Sequence, residues 1–245
     1  MLCTAILLSL LSTSPSHKPT LIDLRLNTVL VDGSSFVGNG FFLKRGGYDT
    51  LYFVTAAHVL VGADMLGVDI VALNTCDECI LESITYSGLA IYTSKESDTA
   101  IIKIVDEDGC LRCLHEPVVG KDYDYGNERN KDVFTYTYHT AMESLYYLQG
   151  YIAGTVEETS GKWVVVQPVF DFGFSGAPVY KTSTNELVGM YVSQRLDACT
   201  TVPEAECKYK LALFRPMFNI YSVLDEGIIA DTRKTFRCIG HAWCK

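Results

Sequence analysis

Short segments rich in β-branched and aromatic residues, each bounded by turn-forming residues, recur along most of this 245-residue chain. Such residues favour strands, and runs this short between turn signals are typical of strands rather than of helices. Strands at this density predict an all-β barrel or sandwich. The predicted strands are Thr28–Val31, Gly40–Lys44, Leu51–Thr55, Val68–Leu73, Ala90–Thr93, Thr99–Val105, Val133–Tyr138, Tyr146–Ala153, Lys162–Pro168, Ala177–Thr182 and Leu187–Val192.

Two stretches favour a helix, and one polar stretch favours a connection between domains. Ala56–Leu60 is long enough for a single turn, and Met217–Asp225 follows Pro216 with apolar residues that can share one face. The run Glu116–Lys131, rich in Asp, Lys, Asn and Gly, divides the predicted strands into two groups of similar size. The sequence therefore predicts two β units and a short C-terminal helix.

The charge and hydropathy of the chain argue against two classes of partner. Twenty Lys and Arg residues against 29 Asp and Glu residues give a net charge of −9. Such a surface repels nucleic-acid phosphates, so nucleic acid is not an expected partner. No apolar run reaches the roughly 20 residues that a membrane-spanning helix needs. The mature domain is therefore not expected to insert stably into a membrane.

The N-terminus carries an apolar block at residues 2–12, followed by small and polar residues. This pattern predicts a signal peptide over residues 1–16 and therefore a secreted protein. No Lys or Arg precedes the block, and two alternatives remain open. The block is then either a buried strand or the edge of a membrane segment cut from a longer precursor.

Nine cysteines are present, and eight remain if Cys3 is removed with a leader. The even number and the arrangement in close pairs favour disulfides in an oxidising compartment. Two of the pairs are Cys-x-x-Cys, namely Cys76/Cys79 and Cys110/Cys113, and together these four thiolates suit a structural zinc ion as the alternative. Their spacer is longer than in common zinc sites, and reduced core cysteines are a third interpretation. No other metal or cofactor is expected.

Three short motifs bring together the residue types that nucleophilic catalysis requires. His58 follows an apolar strand, Asp98 precedes an alternating strand, and Ser175 stands between glycines at a tight turn. A serine hydroxyl is inert near neutral pH unless a base takes its proton and a carboxylate orients that base. His58 is the predicted base, Asp98 the orienting carboxylate and Ser175 the nucleophile. The N–H groups of Gly173 and Ser175 are predicted to form the oxyanion hole.

The order His, Asp, Ser differs from the order in subtilisins and in α/β-hydrolases. In this order and in its motifs the sequence resembles the trypsin/chymotrypsin-fold serine peptidases. Thr55-Ala-Ala-His58, Asp98-Thr-Ala-Ile101 and Gly173-Phe-Ser-Gly-Ala-Pro178 match the three catalytic motifs of that family. Leu187–Tyr191 is similar to its specificity strand, and Gly38-Asn-Gly-Phe41 resembles a strand of bacterial stress proteases and compact viral members.

The resemblance implies a fold, a domain arrangement and a reaction. The fold is all-β, with two six-stranded antiparallel Greek-key barrels and the active site in the cleft between them. The N-terminal barrel is then expected at residues 20–115, the connecting segment at 116–131, the C-terminal barrel and helix at 132–226, and a tail at 227–245. The reaction is hydrolysis of a peptide bond in a protein or peptide substrate through an acyl-enzyme. His58 acts first as a base and then as an acid.

Two departures from the animal digestive members of that family bear on activation and specificity. Phe174 stands where those members carry an aspartate that pairs with a newly cut N-terminus, so activation by N-terminal trimming is not expected. The primary pocket is predicted at Val169, Tyr191 and Ser193, with Val169 where an acid would select Arg or Lys. The expected P1 residue is therefore a moderately sized apolar or polar one.

Two alternatives to a secreted peptidase remain open at the level of sequence. The compact spacings and the missing activation aspartate also fit a viral peptidase that processes a polyprotein. A catalytically inactive homologue that keeps only a peptide-binding groove is the second alternative, because fold does not by itself imply function.

Overall fold

The computed structural model describes residues 28–32, 37–43, 50–61, 68–72, 84–105, 117–120, 125, 130–139, 144–158, 161–167, 173–195 and 211–240. These described residues form two β-barrels, a short 3₁₀ turn and a C-terminal α-helix. The predicted signal peptide lies outside them. Within the same ranges, no helix has both the length and the apolar character needed to cross a membrane.

The first barrel contains six antiparallel strands in the order β1-β2-β3-β6-β5-β4. It closes because β1 pairs with β4, for example Val31 with Ile70. Closure leaves no strand edge without a partner, which removes a site for unwanted pairing. The strands are β1 (Thr28–Asp32), β2 (Val37–Leu43), β3 (Thr50–Ala56), β4 (Val68–Ala72), β5 (Ile84–Ser94) and β6 (Thr99–Val105).

The second barrel repeats this arrangement, with the closed order β7-β8-β9-β12-β11-β10. Here β10 pairs with β7, for example Tyr180 with Phe134. The prediction of two six-stranded antiparallel barrels is therefore confirmed. The strands are β7 (Asp132–His139), β8 (Ser144–Glu158), β9 (Gly161–Gln167), β10 (Pro178–Lys181), β11 (Leu187–Arg195) and β12 (Leu211–Pro216).

Strand β12 was not predicted from the sequence. Its six residues lack alternation, and they include both Arg215 and Pro216, which disfavour a buried strand. Pairing on both sides overrides these local preferences, because β12 hydrogen-bonds to β11 and to β9. The strand begins where Leu211 pairs with Arg195.

The C-terminal helix α1 (Met217–Gly240) is longer than predicted. The expected short helix ended at Asp225, and residues 227–245 were assigned to a tail. Gly227 locally disfavours a helix interior, because glycine commonly terminates helices. Contacts with the first barrel extend the helix beyond this point. Lys103 Nζ of β6 lies 2.7 Å from Asp231 Oδ2, and the Tyr92 hydroxyl of β5 donates to Glu226 Oε2 at 2.7 Å.

The apolar core includes a cluster shared by the two barrels and the helix. This shared cluster joins Phe42 and Ile102 of the first barrel to Leu213 of the second and to Ile220 and Leu224 of α1, all of them buried. Burial of apolar surface at the interface is the main force that holds the barrels together. The interior of the second barrel forms a separate cluster.

The predicted connecting segment packs along the second barrel where the structure describes it. Val119 makes a parallel bridge with Leu187, and the N–H of Leu187 donates to Val118 O at 2.8 Å. Tyr125 is buried, and its hydroxyl donates to the Val188 carbonyl. The segment is thereby tied to β11, which continues to the candidate site.

Candidate active site

His58 lies in a 3₁₀ turn (Ala57–Leu60) that directly follows β3. Val59 and Leu60 anchor this turn in the shared core, whereas the imidazole is 42% exposed. Asp98 ends the turn between β5 and β6, with a φ of 47°. This left-handed backbone conformation is uncommon outside glycine, and aspartate is among the few other residues that adopt it more often.

Three hydrogen bonds connect Asp98 to the turn that carries His58. The Ala57 N–H donates to Asp98 O at 3.1 Å, and the His58 N–H donates to Asp98 Oδ1 at 2.9 Å. The second carboxylate oxygen, Oδ2, lies 2.7 Å from His58 Nδ1. A carboxylate can only accept, so the proton of the neutral imidazole resides on Nδ1. Nε2 is then the basic atom of the ring.

Ser175 lies in a short loop before β10, between Gly173 with a φ of 89° and Gly176 with a φ of 88°. The loop is closed by the Ala177 N–H, which donates to Phe174 O, and by the Gly176 N–H, which donates to Tyr191 O. The Ser175 hydroxyl donates to Val192 O at 2.9 Å. Within the described part of the chain, it forms no hydrogen bond with His58.

The His58 turn and the Ser175 loop meet at Gly38 of β2. A carbon atom added at the Cβ position of Gly38 would lie 2.6 Å from Val59 Cγ2 and 2.8 Å from Ser175 O. The residue that follows His58 and the backbone of Ser175 therefore approach the same point. His58 and Asp98 come from the first barrel and Ser175 from the second, so the candidate residues lie on either side of the boundary between barrels.

Residues 38–190 match the family model described as the trypsin-like peptidase domain. The chain belongs to the trypsin-like peptidase family. The predictions of this family and of a serine peptidase are confirmed. No curated protein matches the sequence.

Solved structures share the fold of this trypsin-like peptidase at low sequence identity. A serine endoprotease from Yersinia pestis is 16% identical with a TM-score of 0.63, over 86% of this chain and 67% of that one. An inactive form of the Rv3671c protease is 13% identical with a TM-score of 0.59, over 85% of this chain and 92% of that one. A mutant of Rv3671c from M. tuberculosis H37Rv gives the same identity and TM-score.

The predicted oxyanion donors belong to the loop just described. Neither the Gly173 N–H nor the Ser175 N–H has a hydrogen-bond partner among the described residues. Phe174, between them, is 6% exposed and packs in the core of the second barrel. Its side chain therefore anchors the loop by apolar burial, at the position where the animal digestive members of this family carry an aspartate.

The structure describes the predicted primary pocket only in part. Val169 lies outside the described residues. Tyr191 is 1% exposed and packs in the core of the second barrel, so its side chain reaches no open surface. Ser193 lies on β11 opposite Leu213. The P1 preference of this trypsin-like peptidase therefore stays a prediction.

A cleft of about 670 Å³ lies beside His58, where the sequence predicted no pocket. Most of its lining is apolar, and Lys95 and Glu96 stand exposed at its rim. Trp163 and Leu213 of the second barrel form one wall, and the His58 turn forms the other. The lining residues are Ala57, His58, Leu60, Val61, Thr93, Lys95, Glu96, Asp98, Trp163 and Leu213.

Arg215, also missed by the sequence analysis, supports the turn that carries Asp98. Its fully buried guanidinium donates to Ser97 O at 3.0 Å and to Glu96 O at 3.1 Å. It lies 3.4 Å from the ring centroid of Trp163, which adds a cation–π contact. Burial lowers the pKa of Arg215 to about 10, while the charge of Asp98 opposes this shift. The side chain therefore stays cationic at neutral pH.

The cysteines of the predicted zinc site, Cys76, Cys79, Cys110 and Cys113, lie outside the described residues. Within the described ranges, no group of His, Cys, Asp and Glu side chains is arranged to hold a metal ion. The predicted disulfides and the zinc alternative both stay predictions.

Proposed function

We propose that this protein is a serine endopeptidase that cleaves peptide bonds with Ser175 as nucleophile, His58 as base and Asp98 as orienting carboxylate. The observation that carries the proposal is the 2.7 Å contact between His58 Nδ1 and Asp98 Oδ2. It fixes the tautomer in which Nε2 can accept a proton, and it stabilises the imidazolium that forms. The other carboxylate oxygen, Oδ1, accepts from the His58 N–H and prevents the carboxylate from turning away.

The reaction begins when the Ser175 hydroxyl exchanges its bond to Val192 O for one to His58 Nε2. Rotation about the Cα–Cβ bond of serine between staggered positions redirects the hydroxyl and is the proposed route of this exchange. His58 takes the proton while Ser175 Oγ forms a bond to the carbonyl carbon of the substrate. The Gly173 and Ser175 N–H groups then donate to the oxyanion.

Breakdown of the tetrahedral intermediate breaks the bond between carbon and nitrogen. His58 gives its proton to the leaving amine, and the acyl group remains on Ser175 Oγ. A water molecule repeats the sequence: His58 takes a proton from the water, and the water oxygen attacks the ester carbon. The bond between that carbon and Ser175 Oγ then breaks, His58 gives the proton to Ser175 Oγ, and the acid product leaves. Asp98 stays ionised throughout.

The substrate is proposed to be a protein or peptide with an apolar side chain in the cleft beside His58. Trp163 and Leu213 supply the apolar wall, and a side chain that displaces water from them gains roughly 25 cal/mol per Å² buried. At P1 a moderately sized apolar or polar residue is expected. A peptide library scanned at P1 measures this preference, and dominant cleavage after Arg or Lys contradicts it.

Secretion is proposed because an apolar block at residues 2–12 has the pattern of a signal peptide. Disulfide formation is proposed because an even number of cysteines remains once Cys3 is removed. Mass spectrometry of the natural product tests this location. A chain that begins near residues 15–20 supports secretion, and a chain embedded in a larger product supports polyprotein processing instead.

Labelling with a fluorophosphonate tests the catalytic assignment. The reagent phosphonylates an activated serine, so the wild-type protein is expected to carry one adduct, mapped by mass spectrometry to Ser175. Ser175→Ala and His58→Ala are expected to abolish labelling and to lower kcat by about 10⁴-fold or more. Ser183→Ala, at an exposed serine after β10, is the matched control and is expected to label at the wild-type rate. Equal labelling of the wild type and Ser175→Ala contradicts the assignment.

A further inference from the structure

Asn39 of β2 is a fully buried polar residue in the first barrel whose side chain bonds entirely to the second barrel. Its Nδ2 donates to Gly173 O at 2.8 Å and to Tyr138 O at 3.2 Å. Its Oδ1 accepts from the Tyr138 N–H at 2.6 Å. Both amide protons and the amide oxygen are thereby used, as burial of an amide requires.

The backbone of Asn39 makes a further contact with the same loop. Its N–H donates to Ser175 O at 2.6 Å. Asn39 therefore holds the carbonyl groups of Gly173 and of Ser175, the two residues whose N–H groups are the predicted oxyanion donors. One residue of a rigid strand thus fixes both ends of the Gly173–Ser175 segment.

The fit between this strand and the loop leaves no room for adjustment. A Cβ atom on Gly176 would overlap the carbonyl oxygen of Asn39, and its φ of 88° also favours glycine. The Thr55 hydroxyl donates to the same carbonyl at 2.7 Å and keeps it in place. The loop therefore packs directly on the backbone of β2, and Asn39 cannot shift without moving it.

We propose that Asn39 is the positioning residue of the oxyanion hole: it holds the carbonyl groups of Gly173 and Ser175, and through the Cα atoms of these residues it keeps their N–H groups in the orientation that the transition state requires. The inference rests on the proposed serine peptidase function. Oxyanion stabilisation depends on donors fixed before the reaction, because donors that reorganise lose most of their advantage. A neutral amide that bonds to backbone carbonyls performs this task without adding a charge beside the reacting atoms.

Two variants separate positioning from stability. Asn39→Ala removes all side-chain bonds, and Asn39→Ser keeps a small polar group that is too short to bridge Tyr138 and Gly173. For the folded fraction, measured by thermal unfolding, we expect kcat to fall by about 10²-fold with KM within about threefold of wild type. Affinity for a peptide boronate, whose tetrahedral adduct uses the oxyanion hole, is expected to fall in proportion to kcat.

Tyr125→Phe is the matched control, because it removes a buried hydrogen bond, to Val188 O, in which no atom of the Gly173–Ser175 segment takes part. It is expected to lower the unfolding temperature and to leave kcat within about twofold. The positioning role is overturned if kcat is unchanged in folded Asn39→Ala or Asn39→Ser. It is also overturned if KM rises in these variants while kcat stays at the wild-type value. Failure of both variants to fold also overturns it, since the side chain then serves the fold itself.

Fluorophosphonate labelling of the wild type distinguishes failure of the proposed serine peptidase function from failure of the proposed role of Asn39. Absence of labelling at Ser175 contradicts the proposed function. Labelling of the wild type, with equally fast labelling of both Asn39 variants, contradicts only the role of Asn39.

Discussion

Tyr180 is a fully buried side chain whose hydroxyl has no hydrogen-bond partner among the described residues. Its ring stacks on Phe134, with 5.3 Å between the ring centroids. Burial raises the pKa of Tyr180 above its ordinary value, because the phenolate would lose its hydration. An unsatisfied buried hydroxyl also costs free energy at every pH.

We predict that Tyr180→Phe leaves the free energy of unfolding at pH 7 unchanged or raises it by about 1 kcal/mol. Since the pKa of Tyr180 is higher in the folded protein than in the unfolded chain, the unfolded chain loses this proton first. The contribution of the Tyr180 proton to the free energy of unfolding is therefore fully present below pH 10, and it decreases as the pH rises above 10.

Urea unfolding between pH 8 and pH 11 measures this effect. The wild type is expected to lose up to about 1.4 kcal/mol per pH unit more than Tyr180→Phe above pH 10. Arg215, whose pKa the fold lowers to about 10, has the opposite dependence in both proteins and cancels in the comparison. Tyr147→Phe, at a ring that is 47% exposed, is the control. Parallel pH profiles for wild type and Tyr180→Phe contradict the prediction.

Buried polar side chains bonded to backbone carbonyls are the residues that sequence analysis missed. Asn39 bonds to Gly173, 134 positions away, and Arg215 bonds to Ser97, 118 positions away. No local spacing marks such partners, and each residue is ordinary by itself. The signal that remained was an unexplained polar residue. Arg215 is the one charged residue in the stretch Leu211–Phe218, and Asn39 lies between two glycines.

At the scale of elements, helix α1 connects the two barrels. It follows β12 of the second barrel directly and bonds to β5 and β6 of the first through Glu226 and Asp231. The pair formed by Lys103 and Asp231 is partly buried, with side chains 31% and 24% exposed. Partial burial reduces solvent screening, so this pair contributes more than a fully exposed one.

A double-mutant cycle with Lys103→Met and Asp231→Asn measures the contribution of this ion pair. We predict a coupling free energy of about 0.5–1 kcal/mol, measured by urea unfolding at low salt. The pair between Lys162 and Glu157 is the control, since its 3.3 Å contact involves a Glu157 side chain that is 70% exposed. Its coupling is expected near zero. A coupling for Lys103 and Asp231 no larger than that of the control contradicts the prediction.

Element prediction succeeded where local patterns agreed with tertiary structure and failed where they did not. Segments with β-branched and aromatic residues, such as Thr99–Val105, became strands because local preference and burial favour the same conformation. Strand β12 and the second half of α1 were missed, because Arg215 and Gly227 locally disfavour the structure that neighbouring elements impose.

At the scale of the whole molecule, both barrels have the same strand order, although the sequence shows no obvious internal repeat. Barrel closure depends on which strands pair, and many sequences satisfy the same pairing. The density of short predicted strands indicated a barrel or sandwich, and the three motifs, through the resemblance that they carry, predicted two barrels. The cleft beside His58 could not be predicted, since Trp163 and Leu213 join its wall only after the barrels pack.

The position of β12 has a consequence for the timing of synthesis. The second barrel cannot close before β12 (Leu211–Pro216) pairs with β9 and β11, although Ser175 is translated 36 residues before the start of that strand. His58 and Asp98 are therefore synthesised before the second barrel can close, and the proposed catalytic residues cannot all be in place until then. If the proposed function is correct, peptide-bond cleavage by this chain begins only after β12 has been synthesised and has paired.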